Sequence, residues 1–445
     1  MFSDYLKNSH LFGRISRLYE NYPRLQQVTS LFAVNMLIIP ISIVSNIFIT
    51  RFLGPVAFGD FKFLFYVFSL GMVLFTFGFY QAGNRAIVLN SEKEKTRELY
   101  GSVLVILSGL FLVMFIFLLA YAFIDKNIAE KGLRSILIML IPFSWIFLLT
   151  NYFEVLFQAD NKISLLARSR LYPKLIFFAA TLVLYLAFGD FSGNRLKIIW
   201  ILFLAAHIVG FGYIILKVNP SFRNLRIRLN EVFYYNKTYG FNVYIGTIFN
   251  VAMASLSGLL ISYFGVNNAG VGFYGLALTI AEPLNFIPNV IATTHYKDFA
   301  TRKEIESKLT KVTVGVSLIA LILCWVLVGP FINIFYGKEF HPVIYLTIIA
   351  STGVVFNGMG DYYNRFLGAH GRGKDLRNSA ILVGIIIFIC NFTLIPLFGQ
   401  DGAVATRIVS GIAYFGCMYW FYRKLVRTLH EEKAEIPEQK EKQPA

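Results

Sequence analysis

The run Gly101–Ile124, GSVLVILSGLFLVMFIFLLAYAFI, holds 24 consecutive residues without a charge. Lys93, Lys95 and Arg97 precede it, and Asp125 and Lys126 follow it. About 20 apolar residues are enough to cross a hydrocarbon core of ~30 Å. Backbone polar groups in lipid must be satisfied within the segment, so a run of this length is a helix. Working outward, similar runs recur at roughly 30–52, 61–88, 134–158, 169–189, 196–217, 239–264, 271–296, 310–330, 342–368, 378–398 and 400–424. The expectation is an all-α, polytopic membrane protein of about twelve transmembrane helices. With 56% hydrophobic and 15% charged residues in 445, a water-soluble globule is excluded.

Lys and Arg number 41 against 25 Asp and Glu, an excess that would suit nucleic acid if it were gathered on one surface. Instead the basic residues sit in short segments between apolar runs, so no nucleic-acid partner is expected. With both termini cytoplasmic, 32 of the 41 fall on inner segments and 6 in outer loops. Such a bias fixes orientation by the positive-inside rule. Only Arg51, Lys62 and Arg407 remain, at or inside the outer ends of spans. Residues 1–29 lack the core of a signal peptide. Leu11, Phe12, Ile15, Leu18, Tyr19 and Tyr22 alternate with Arg14, Arg17 and Arg24, the spacing of an amphipathic helix lying on anionic headgroups. Cys324, Cys390 and Cys417 fall inside spans without metal or disulfide spacing. No nucleotide-binding loop is present, so energy is expected from an ion gradient, the membrane potential or consumption of the cargo; no cofactor and no metal are expected.

The longest connection, 218–238, carries Pro220, Arg223, Arg226 and Arg228. As a cytoplasmic linker it separates halves 30–217 and 239–424, and a charged, disordered cytoplasmic tail is expected over 425–445. The halves echo each other. Leu53-Gly54 and Gly59-Asp60-Phe61 match Phe264-Gly265 and Gly272-Phe273-Tyr274, hairpins in which glycine lets the chain reverse. Asn151-Tyr152-Phe153-Glu154, with Phe157-Gln158-Ala159 and Lys162, precedes Asp361-Tyr362-Tyr363-Asn364, with Leu367-Gly368-Ala369 and Arg372, by 210 residues. Charged inner segments, Glu92-Lys93-Glu94-Lys95 and Arg302-Lys303-Glu304, precede spans three and nine. Repeats of six helices enter from the same side, so they are parallel, and a site is expected where they meet.

The Phe52-to-Gly59 hairpin, Gln81-Ala82-Gly83-Asn84-Arg85, the turn Phe157 to Lys162 and the turn Gly368-Ala369-His370-Gly371-Arg372-Gly373 together resemble the oligosaccharide flippase family. These are the O-antigen and capsule repeat-unit exporters of the multidrug/oligosaccharidyl-lipid/polysaccharide exporter superfamily. The resemblance covers nearly the whole chain. It implies two six-helix bundles around a central cavity that opens alternately to either side, in the bacterial inner (plasma) membrane. It also implies a polyprenyl-pyrophosphate-linked oligosaccharide as cargo, with membrane lipids and polysaccharide polymerase machinery as partners. The two extra helices usual in peptidoglycan-precursor flippases are not found.

Ionisable residues inside spans are costly and count as functional candidates. Asn35, Ser42 and Asn46 share one face of span one, and Lys62, Gln81, Asn84 and Arg85 lie on span two. Asn242 and Asn250 lie on span seven, and Asn285 and Asn289 on span eight. Each Asn alone could be interhelical glue; four stripes together favour the lining of a wet cleft. A pyrophosphate needs cations at successive depths, and Arg forks onto phosphate oxygens. Arg85 would receive the headgroup, and Arg51, Lys62 and Arg407 would accept it after rocking. Glu282 beside Pro283, with Glu154 and Asp361, are candidates for coupling to H+ or Na+, or for pairing with Arg. An ion-coupled multidrug antiporter of the same fold is the rival transporter. A polysaccharide polymerase or glycosyltransferase is the rival enzyme, against which the short outer loops argue.

Overall fold

The computed structural model describes residues 23–90, 92–187 and 193–440, with side chains described from Val34 to Glu431 apart from a few positions. The expected amphipathic segment before Pro23 lies outside the described residues. In chain order the helices are α1 (Pro23–Leu74), α2 (Phe79–Val88), α3 (Lys93–Ile124), α4 (Lys126–Glu130), α5 (Arg134–Leu140), α6 (Trp145–Ala159), α7 (Ile163–Ala187), α8 (Arg195–Val218) and α9 (Leu225–Tyr235). They continue as α10 (Phe241–Phe264), α11 (Ala269–Ala281), α12 (Phe286–Thr294), α13 (Tyr296–Thr301), α14 (Ser307–Phe335), α15 (Pro342–Ala369), α16 (Gly373–Phe398) and α17 (Gln400–Lys440). There is no strand among the described residues. The protein is an all-α, multi-pass membrane protein.

Among the described residues, eight helices are long and apolar enough to cross a bilayer, or nine when Arg134–Phe143 and Trp145–Ala159, bent by 44°, count as one span. As far as their residues are described, the expected spans fall on helical segments, with the second broken at Phe75–Gly78, the fourth at Ile141–Ser144 and the eighth at Glu282–Asn285. Two share α1, which changes direction at Gly54, where φ is 72°. That left-handed conformation costs glycine nothing and any other residue strain.

The 210-residue repeat is visible in hydrogen bonds. After α6 the chain turns at Asn161 (φ 52°), and Lys162 N donates to Phe157 O at 2.9 Å. After α15 it turns at Gly371 (φ 69°), and Arg372 N donates to Leu367 O at 3.0 Å. Both are the six-to-one closure with a left-handed residue that stops a helix. The following helices, α7 and α16, begin at the same offset.

The chain forms two compact units that are not its sequence halves. One takes the chain up to Phe48, then Phe75–Phe117 and Leu140–Val243; the other takes Ile49–Leu74, Leu118–Met139 and everything from Tyr244 onward. In the first, the linker is an ordered clasp. Glu98 of α3 accepts from Asn224 and Arg228, both at 2.8 Å, while Arg228 also reaches Glu231 at 2.7 Å.

In the second unit α15 is the buried centre. A Cβ on Gly353 would lie 2.5 Å from Arg407 O of α17, and one on Gly411 would overlap Gly353 O. Small residues let two backbones meet where apolar side chains gain nothing over lipid. Gly353→Leu is therefore expected to cost at least the ~1–3 kcal/mol of ordinary overpacking. Membrane yield and thermal stability should fall, while Gly315→Leu, at a position open on all sides, should change neither.

The expected disordered tail needs correction at its start. Leu425 and Val426 are buried in a cluster with Ile305, Tyr362, Phe366 and Tyr422, against which Leu429 packs. That burial carries α17 past 424, and its helix runs to Lys440.

Candidate functional site

In the second unit, α11 gives way to a short 3-10 turn, Glu282–Asn285, before α12. Pro283 has no N–H to offer the helix, so the backbone loosens there. The turn borders a cavity of about 400 Å³ lined by Glu282, Asp361, Asn364, Arg407, Tyr414 and Tyr274 among others. Arg407, seven residues into α17 and so about 10 Å along it, donates through Nη2 to Glu282 Oε1 at 2.6 Å. Its Nε is buried with no hydrogen-bond partner among the described residues. Asp361 accepts from Tyr414 Oη at 2.9 Å and from Asn285 Nδ2 at 3.4 Å. Asn364 Nδ2 donates to Tyr414 Oη at 3.0 Å. Asp361 and Arg365 form no salt bridge among the described residues; Arg365 Nη2 meets Asn289 Oδ1 at 3.4 Å. Two carboxylates and one guanidinium thus line the cavity, with the guanidinium hydrogen-bonded to Glu282, an arrangement that could hold a small cation when that pair opens.

Arg51, Lys62 and Arg407, expected to act together, take three different settings. Arg51 donates to Phe335 O and Ile334 O, both at 2.7 Å, and so caps the end of α14, where carbonyls lack helical partners. The Lys62 ammonium stands 5.3 Å from the centre of the Phe58 ring, and its stem lies against Gly275.

Close by in the chain, Gly59 belongs to a polar seam at the end expected to face outward. A Cβ on Gly59 would overlap the carbonyl of Asn268, and one on Gly272 would lie 3.0 Å from Gly59 N. Asn268 Nδ2 donates to Asp60 Oδ1 at 2.7 Å, and Lys131 Nζ donates to Ser262 O, to Ser262 Oγ at 3.0 Å and to Asn268 Oδ1 at 3.1 Å. Burial pushes the Lys131 ammonium below its usual pKa, against the pull of Asp60 and Asp125.

In the first unit Arg85 is exposed and lies 5.7 Å from the centre of the Tyr239 ring. Asn84 Nδ2 donates to Val155 O at 2.8 Å, as a helix tether. Gln81 Oε1 is buried without a partner among the described residues, and Asn46 is buried. Asn242 is exposed, and the side chain of Asn250 lies outside the described residues. Glu154 is held by Arg170 through both oxygens and by Gln158 Nε2 at 2.9 Å. Asn35 Oδ1 accepts from Arg170 Nη1 at 2.9 Å.

A family model described as polysaccharide biosynthesis protein matches residues 24–296, more than half of the chain. The chain belongs to this family. Among its relatives, this polysaccharide biosynthesis protein is similar to the capsular polysaccharide biosynthesis protein CapF of Staphylococcus aureus. The two are 24% identical over 359 residues, 77% of this chain and 86% of the relative. The fold matches that of the lipid II flippase MurJ in an inward closed conformation, with a TM-score of 0.69, 13% identity and coverage of 88% of this chain and 87% of that one. It also matches an inward-facing multidrug resistance MATE family transporter of the MOP superfamily, with a TM-score of 0.62, 13% identity and coverage of 90% and 99%.

Two groups in this family member escaped the sequence reading. Arg170 and Lys174 lie inside the run expected at 169–189 but count with the inner segments in the charge tally, and α7, beginning at Ile163, carries both within the helix. The signal available was the helix stop at Asn161, after which a new helix can start at once. The Asp60–Asn268–Lys131 seam joins residues far apart in sequence, and no local pattern announces it.

Proposed function

We propose that the protein is a flippase that moves a polyprenyl-pyrophosphate-linked oligosaccharide from the cytoplasmic to the outer leaflet of a bacterial inner membrane. It acts by alternating access, with both termini cytoplasmic, in O-antigen, capsule or exopolysaccharide synthesis. One observation carries this reading: a polysaccharide-biosynthesis family member, itself similar to a capsule protein, holds cations deep within apolar helices. A lipid-linked headgroup bearing phosphates needs such cations, because unpaired charge in hydrocarbon is prohibitive. The likeness to a lipid II flippase supports the same mode of action.

The cavity around Glu282 and Asp361 supports coupling to H+ or Na+, with the Arg407–Glu282 pair opening as the ion enters. The same cavity favours the second reading, an ion-coupled multidrug antiporter, since its two carboxylates outnumber its one guanidinium and cationic drugs prefer such a site.

The two readings part in proteoliposomes containing the purified full chain. A fluorescent polyprenyl-pyrophosphate oligosaccharide in the inner leaflet should reach an external quencher, while a cationic dye should not move under a proton or sodium gradient. Dye transport without lipid movement would reverse the assignment. If an applied gradient speeds flipping, Glu282→Gln should remove that acceleration; an intact response would take Glu282 out of the coupling site.

A further inference from the structure

Arg170 and Lys174 lie one turn apart on α7, the latter eleven residues beyond Ile163 and so about 16 Å along the helix. Their neighbours rise in step along α1. Asn35 meets Arg170 at 2.9 Å, Ser42 meets Lys174 at 3.5 Å, and Phe48 packs on Phe178 and Tyr185 with ring centres 6.3 and 5.4 Å apart. Helices α1 and α7 therefore run parallel, with polar pairs along one stretch and aromatic pairs beyond them. Pro173 packs on α8, where a Cβ on Gly210 would lie 2.8 Å from its ring. One residue on, Lys174 is turned by about 100° toward α1.

The two cations differ in what answers their charge. Arg170 is neutralised by Glu154 and fixed by Asn35. Lys174 is exposed and makes no salt bridge among the described residues; its contact there is the long one to the Ser42 hydroxyl. An ammonium has three protons to donate, and at least two of these remain. A lysine inside a membrane span is expensive unless water or an anion meets it. Snorkelling is the ordinary escape for lysine near a helix end, but Lys174, five residues into the run expected at 169–189, reaches across to Ser42 of α1.

We propose that Lys174, braced by the Arg170–Glu154 pair and the polar face Asn35–Ser42 of α1, is an anion subsite for a diphosphate group within the first unit. The subsite rests on the flippase reading and adds a residue to it: an ammonium that no carboxylate among the described residues compensates. The locked Arg170 keeps Glu154 from neutralising that ammonium.

The test uses the full chain, purified into lipid nanodiscs and titrated with a short-chain prenyl pyrophosphate, the matching prenyl alcohol and inorganic pyrophosphate. Lys174→Met keeps the apolar stem and removes the charge. It should weaken the prenyl pyrophosphate by about tenfold or more, as loss of a charge-assisted hydrogen bond does, and leave the alcohol unchanged. Lys174→Arg should restore most of the affinity. Competition by inorganic pyrophosphate that vanishes in Lys174→Met would assign the subsite to the diphosphate alone. Failure to compete, with the prenyl form still sensitive to the mutation, would assign it to the lipid-borne headgroup. Either result supports the subsite. Equal pyrophosphate binding by the wild type and Lys174→Met overturns it and leaves the flippase reading standing, as does an equal loss of pyrophosphate and alcohol. A wild type indifferent to the pyrophosphate overturns both.

Discussion

Gly59→Val is expected to leave the protein in the membrane at normal levels and to reduce export by about tenfold or more. A single added carbon at Gly59 would overlap the Asn268 carbonyl, and that obstacle is backbone, which no rotamer change can move aside. The hairpin at Gly54–Asp60 and the segment opening α11 would have to separate, also parting Asn268 from Asp60. Overpacking of this kind costs about 1–3 kcal/mol, and each ~1.4 kcal/mol is a factor of ten in a population. Under the proposed alternating access, a carrier that must close its outer end in every cycle would lose that closed state. The folding core is spared, because the α15–α17 contact at Gly353 and Gly411 lies elsewhere. Gly109→Val, at an open position on α3, is the matched control. Polymer export and membrane content of each variant decide the matter. Normal export by Gly59→Val would make the seam dispensable, and loss of the protein would make it a permanent part of the fold.

The glycines of this hairpin also show where sequence reading stops. Both Gly54 and Gly59 read as turn residues, but only Gly54 has a positive φ. Gly59 lies within a helix and is small because another backbone touches it. Composition cannot distinguish these uses, since the partner is more than 200 residues away. What is local was legible: apolar run length gave the helices, and turn residues gave the repeat down to matching hydrogen bonds at Lys162 and Arg372. What depends on tertiary contact was not. Arg51, singled out for opposing the charge bias, spends its donors on the end of α14. Lys174, hidden by agreeing with that bias, has no carboxylate partner among the described residues. Counting charges by side assigns residues to loops, and the count is insensitive to where a helix begins.

The second large effect is expected at Arg407. Arg407→Ala should abolish polymer export with the protein still present in the membrane, and the double variant Arg407→Gln with Glu282→Gln explains why the two outcomes separate. Removing the guanidinium alone leaves Glu282 facing the cavity without its 2.6 Å partner. Breaking a fully buried pair costs about 3–5 kcal/mol. Glu282 is 47% exposed, so its penalty is smaller. The single variant should therefore be destabilised but folded. In the double variant no charge is stranded, and two amides can hydrogen-bond where the ions did, so thermal stability should recover toward wild type. Export should not recover, because the pair is proposed to open and close with the ion or cargo and an amide pair offers neither charge. A double variant that regained both stability and export would reduce Arg407–Glu282 to a structural brace. One that regained stability alone would place the pair in the transport cycle, and the separation of those two readouts is what a purely packing role cannot produce.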